Sequence, residues 1–219
     1  MLLIYDSTAY KSIVKRVLTE QITETGQRVS FNPKIKGQIS LESDKVTKLY
    51  VHPSYANTYE NVAAFTKQRD APGVLLISSK PQLGKYELIN TLLRDRLLPT
   101  QRVCLVAPHI FTSEEKEFLH KYHVPYYSMR AIAKEGVHNI ITKIKSVISQ
   151  WSDCMIIVDA SSLDYPIIRT NLSGGLTTRQ LITIIQHVKS TTNFRESELI
   201  ITHKEPRITV KLITEMFQD

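Results

Sequence analysis

Residues 155–180 read MIIVDASSLDYPIIRTNLSGGLTTRQ. The apolar run Met155-Ile156-Ile157-Val158 has the length and composition of a buried strand, and it delivers Asp159 to that strand's end. An irregular loop follows, then Gly174-Gly175 and a hydroxyl at Thr177 or Thr178 that suits a helix N-cap. Strand, loop and capped helix are the repeating unit of an α/β protein, in which ligands collect beyond the carboxyl ends of parallel strands. Asp159, Ser161 and Asp164 are therefore the residues expected at a site.

The same alternation extends in both directions. Upstream, strands are predicted over Gly73–Ile77, Val103–Val106 and Val124–Tyr127. Helices are predicted over Tyr86–Leu98 and Ser113–Tyr122, with one long amphipathic helix from Met129 or Ala131 to about Ser149. Downstream come a helix over Thr177–Ser190, a strand over Glu198–Thr202 and a helix over Ile208–Phe217. Short connections between alternating elements predict a parallel sheet covered on both faces. The first 70 residues differ. Asp6 or Ser7 suits the cap of a helix carrying Ile13, Val14, Val17, Leu18 and Ile22 and closed by Gly26; residues 28–50 read as one or two hairpins; Tyr55–Arg69 suits a helix with Tyr59, Val62, Ala63 and Phe65 inward.

At 219 residues a single domain is expected. Lys and Arg outnumber Asp and Glu by 28 to 21, a net charge of +7 that favours anionic partners, nucleic acid or acidic protein surfaces, although the basic residues are scattered. Cys104 and Cys154 sit in or beside apolar strand-like runs and read as free buried thiols of a reducing, intracellular protein. No apolar stretch approaches the roughly 20 residues of a membrane span, and the first residues lack a signal peptide's pattern, so a soluble protein is expected.

VDASSLDYP, followed by GGLTTRQ, resembles the arginase and agmatinase (ureohydrolase) family, whose pattern here is Asp-x-Asp-x-x-Asp-Pro and then Gly-Gly-Leu-Thr-x-Arg-Glu. VLLISSKPQL (74–83) lies where the family has a strand ending in Gly-Gly-Asp-His-Ser-Leu, and VCLVAPHIF (103–111) where it has one ending in Asp-Ala-His-x-Asp. Tyr127–Arg130, leading through Gly136-Val137, also falls in the family's order, so the resemblance covers roughly residues 73–206. It implies an arginase-like three-layer α/β/α fold with a mainly parallel, doubly wound sheet. In active members it implies two manganese ions, whose bridging water attacks a guanidinium carbon. It leaves residues 1–70 as a divergent part of the single domain, or an added interaction surface.

Carried across position by position, the resemblance places the six metal ligands on Pro81, Ala107, His109, Phe111, Asp159 and Ser161, of which His109 and Asp159 alone bind a metal well. The glutamate that holds the substrate falls on His203, and the chain between His109 and Tyr127 is much shorter than in an arginase, leaving no counterpart for the shuttle histidine. One carboxylate and one imidazole leave two Mn²⁺ ions grossly undercompensated. The expectation is a pseudoenzyme without metal or other cofactor, a structural or scaffold protein acting through protein contacts. Active relatives form trimers or hexamers, so the resemblance also implies a homo-oligomer, within a larger complex of other proteins.

Three other readings use the same residues. Ser79–Tyr86, SKPQLGKY, resembles a phosphate-binding loop around Lys85, but its first glycine is Ser79 and its magnesium-binding hydroxyl position is Tyr86, so a strand-to-helix turn with a surface lysine is the simpler expectation. His109 and Asp159 suit a single-metal hydrolase only if a third ligand such as His203 converges on them; otherwise His109 is a hydrogen-bonded rim residue and Asp159 caps a turn or pairs with a neighbour such as Arg179. HPSYANTYE (52–60) interleaves aromatic and polar residues as a base-stacking surface would, yet lacks a nucleic-acid motif and reads as a packed helix with its lead-in.

Overall fold

A computed structural model describes residues 28–30, 39–42, 48–52, 54–67, 69–164, 174–201 and 206–217. The helix expected between Asp6 and Gly26 lies outside these residues, as does His203. Among the described residues eight strands form one sheet: β1 (Arg28–Ser30), β2 (Ile39–Glu42), β3 (Lys48–His52), β4 (Pro72–Ile77), β5 (Val103–Val106), β6 (Tyr126–Tyr127), β7 (Asp153–Asp159) and β8 (Phe194–Ile200). Their order is β1-β2-β3-β8-β7-β4-β5-β6. From β3 to β6 all neighbours are parallel, while β1 and β2 extend the β3 edge as antiparallel strands, matching the hairpins expected there. The chain runs from β4 outward to β6, then returns to β7 on the other side of β4. The boundary between β4 and β7 is therefore the switch point at which an open α/β sheet leaves a crevice.

Alternate side chains of the central strands enter two separate cores. Leu75, Ile77, Val106, Ile156 and Val158 pack with α4 (Met129–Glu135), α5 (Val137–Ile148), α6 (Thr178–Lys189) and α7 (Pro206–Phe217). Val74, Leu76, Leu105, Met155 and Ile157 pack on the opposite face with α1 (Thr58–Lys67), α2 (Leu88–Arg94) and α3 (Ser113–Lys121). Strands buried on both faces account for the unbroken apolar runs of the sequence. Cys104 and Cys154 are buried free thiols, and burial pushes both well above the ordinary thiol range. Among the described residues no helix is long and apolar enough to cross a membrane.

Three elements differ from the sequence reading. The single long helix is two, because Gly136 stands at φ +84°, closing α4 with its N–H on the Ile132 carbonyl and opening α5. Helix α2 is shorter than expected, ending at Arg94 with Arg96 in the left-handed region. Strand β8 begins at Phe194, four residues before the expected start, because its polar letters Arg195, Glu196 and Ser197 find partners or burial in the sheet.

Candidate functional site

Two acids organise the described residues that follow β7. Asp159 is 3% exposed and accepts the Ser161 N–H at 2.8 Å, capping a single 3-10 turn. Asp164 accepts the Gly174 N–H at 2.7 Å, which draws the far side of the loop back. Leu176 N–H then donates to the Ser162 carbonyl at 2.7 Å, and a Cβ on Gly175 would stand 2.5 Å from that oxygen, so no larger residue fits. Thr177 is the cap of α6, in a reciprocal capping box with Gln180.

On the β4 and β5 side the predicted positions carry almost no donors. Pro81 and Ala107 are buried, and Ala107 holds φ +64°, its N–H bonded to the Tyr127 carbonyl at 2.8 Å. Half-buried His109 places Nδ1 3.1 Å from the Ala107 carbonyl, a contact in which Nδ1–H donates, and its backbone N–H reaches the Ser79 carbonyl at 3.0 Å. Phe111 meets Tyr126 edge-on at 6.0 Å and has the Lys116 ammonium 5.7 Å from its ring, an aromatic packing role. Ser161 shares a hydroxyl hydrogen bond of 2.9 Å with Ser79, which ties the β7 loop to the end of β4. Lys85 is exposed, its Nζ 5.2 Å from the Tyr86 ring. The Gly84 N–H is occupied by the Glu87 carboxylate at 2.8 Å, so an internal anion sits where a phosphate-binding loop would hold its ligand.

On the β7 and β8 side the acids remain, and α1 with its lead-in supplies their donors. The Tyr55 hydroxyl donates to Asp159 Oδ2 at 2.8 Å. One helical turn later Thr58 Oγ1 donates to Glu198, and after another Asn61 Nδ2 donates to Glu198 Oε2 at 3.2 Å. Tyr55, Thr58 and Asn61 are spaced by three, so one face of a short helical segment lies across two buried carboxyls. Burial pushes Asp159 above the ordinary carboxylate range, partly offset by the Ser161 and Tyr55 hydrogen bonds. Burial, reinforced by the Asp159 charge, raises the Tyr55 hydroxyl well above its usual value. Glu198, fully buried, is pushed up to about 7 by burial against the pull of Thr58 and Asn61. Asp159 thus caps a turn as expected, with Tyr55 as its partner in place of Arg179. The sequence reading missed Tyr55, Thr58, Asn61 and Glu198; the spacing of three polar residues along a helix otherwise read for its apolar face was the available signal.

The arginase family profile matches residues 54–201, more than half of the chain and the whole span from Tyr55 to the end of β8. The chain belongs to the arginase family. Among solved structures, the arginase of Bacillus cereus superposes with a TM-score of 0.70 at 15% identity, covering 98% of this chain and 80% of its own. The arginase of Bacillus subtilis gives 0.71 at 13% identity, covering 96% and 76%. The formimidoylglutamase of Bacillus subtilis gives 0.68 at 15%, covering 76% of this chain and 58% of its own length. At such identities these likenesses carry the fold. No curated protein matches the chain.

The residues that the sequence resemblance assigns to the metal site do not fit the two manganese ions it implies. Pro81, Ala107 and Phe111 offer no side-chain donor, Ser161 offers a neutral hydroxyl already shared with Ser79, and Asp159 is held by a phenol and an amide. Four positive charges need several anionic oxygens in their first coordination sphere. Among the described residues no group of three or more His, Cys, Asp or Glu side chains is placed to hold a metal ion.

Proposed function

We propose that this arginase-family chain is a pseudoenzyme, a structural or assembly protein that acts through protein contacts rather than by hydrolysing a guanidinium compound. The observation that carries this reading is the Tyr55–Asp159 hydrogen bond: the carboxylate retained at the end of β7 is spent on an internal phenol. With Pro81, Ala107 and Phe111 at three further positions of the resemblance, no group of three or more His, Cys, Asp or Glu side chains among the described residues is placed to hold a water-activating metal. The retained two-faced core suits a scaffold, and self-association as a trimer or hexamer is what the family suggests. The net charge of +7 suits an acidic protein surface among its partners, with nucleic acid as a less specific one.

The test uses the purified full chain, incubated with excess manganese, desalted, and assayed for bound metal and for urea from arginine and agmatine. Substoichiometric manganese and no urea above the protein-free blank are expected. Near-stoichiometric, tightly held manganese, or urea production abolished in Asp159→Ala, would overturn the proposal. Light scattering on the same sample is expected to give a mass of several chains.

A further inference from the structure

A concavity lies near the strand-end site, between the start of α1 and the loop and helix that follow β4. It is a cleft of about 400 Å³ lined by Tyr55, Tyr59, Tyr86, Gln82, Glu87 and Thr91, among others. We infer that this cleft binds a small monovalent alkylammonium ion, primary or quaternary, between its tyrosine rings and the Glu87 carboxylate.

Three observations point to that class of ligand. The walls are rich in tyrosine, whose ring faces attract cations, and Tyr86 stands 81% exposed at the rim. Tyr86 already draws an ammonium from within the chain, with Lys85 Nζ 5.2 Å from its ring centroid. Half-buried Glu87 lines the cleft, accepts the Gly84 N–H with one carboxylate oxygen and has no ion-pair partner among the described residues, so its charge is without a cation there. The chain's net charge of +7 disfavours a polycation, which leaves a single-charged amine as the best match. Tyr55 belongs to both sites: its hydroxyl holds Asp159 while the residue lines the cleft. The inference does not rest on the strand-end pocket being inactive.

The test is a titration of the isotope-labelled full chain with tetramethylammonium and n-butylammonium chloride, followed by amide chemical shifts at constant ionic strength, with tert-butanol as the neutral control. Saturable shifts at Ala56, Glu87 and Thr91 are expected with both cations and not with tert-butanol. Glu87→Gln keeps an acceptor for the Gly84 N–H and removes the charge; it should weaken binding about three- to fivefold, and Tyr86→Ala by a similar factor. Lys85→Ala should tighten binding, because the internal competitor for the Tyr86 ring is gone. Shifts that do not saturate, equal binding of tert-butanol, or unchanged affinity in a folded Glu87→Gln variant would each overturn the proposal.

Discussion

The two sides of the strand-end pocket handle buried polarity in opposite ways. Beyond β4 and β5, the positions that the sequence resemblance assigns to metal ligands carry Pro81, Ala107 and Phe111, and His109 is bonded to a backbone carbonyl two residues away. At the end of β7 and within β8, Asp159 and Glu198 are buried carboxyls, at 3% and 0% exposure. There Tyr55, Thr58 and Asn61 donate hydrogen bonds to the carboxyl oxygens. The named positions on one side carry no acid; the other side buries two acids and supplies them with donors. The difference teaches that a carboxyl can stay buried when a neighbouring helical segment satisfies its oxygens, since an unsatisfied buried acid is among the costliest defects a fold can carry.

The contrast can be broken most forcefully at Glu198. Its carboxyl is pushed up to about 7 in the fold from an ordinary 4.5. A raised value favours the folded state fully below pH 4.5, and that contribution is lost as pH rises through about 7. The loss is worth roughly 3 kcal/mol. Denaturant unfolding of wild type and Glu198→Gln from pH 4 to 8 should therefore give curves that diverge across this window, with the wild type losing stability as pH rises. Parallel curves would mean that Glu198 ionises in the fold as freely as in water.

A smaller effect is expected at Thr58. Thr58→Val keeps the shape and removes one of the donors to Glu198, which should cost about 1–3 kcal/mol in chemical denaturation. It should also steepen the pH dependence, because the ionised carboxylate is left with less to hold it. A cost near zero would show that α1 is not what stabilises the buried acid.

The smallest effect belongs to the other side of the pocket. His109→Ala removes a half-buried ring bonded only to its own backbone segment, and a melting experiment should register about 0.5–1 kcal/mol at most. A loss larger than that of Thr58→Val would reverse the comparison and make His109 the structural centre of the site.

Much of this arrangement was legible in the sequence and part of it was not. The unbroken apolar runs of β4, β5 and β7 revealed strands buried on both faces, and the length of the run before Asp159 placed that acid at a strand end. A cap at Thr177 or Thr178 was readable from local spacing, and Thr177 is the one that forms it. Gly136 could have been read as a break, but the amphipathic pattern runs through it on both sides and hides a change of direction. Glu198 was hidden for a different reason. Its burial depends on Thr58 and Asn61, 140 and 137 residues earlier, and periodicity in a short window carries no information across that distance. Tyr55 was read as part of an aromatic lead-in for the same reason: its partner Asp159 lies 104 residues away.

The central claim is that Tyr55 satisfies the carboxylate retained at the end of β7. It is tested most directly by a double-mutant cycle of Tyr55→Phe and Asp159→Ala, read as unfolding free energy at neutral pH in the presence of a chelator. A coupling of about 1–3 kcal/mol is expected, with the double variant losing much less than the two single losses combined. Strict additivity, together with a stabilisation by manganese that Asp159→Ala abolishes, would contradict it and return Asp159 to the role of a metal ligand.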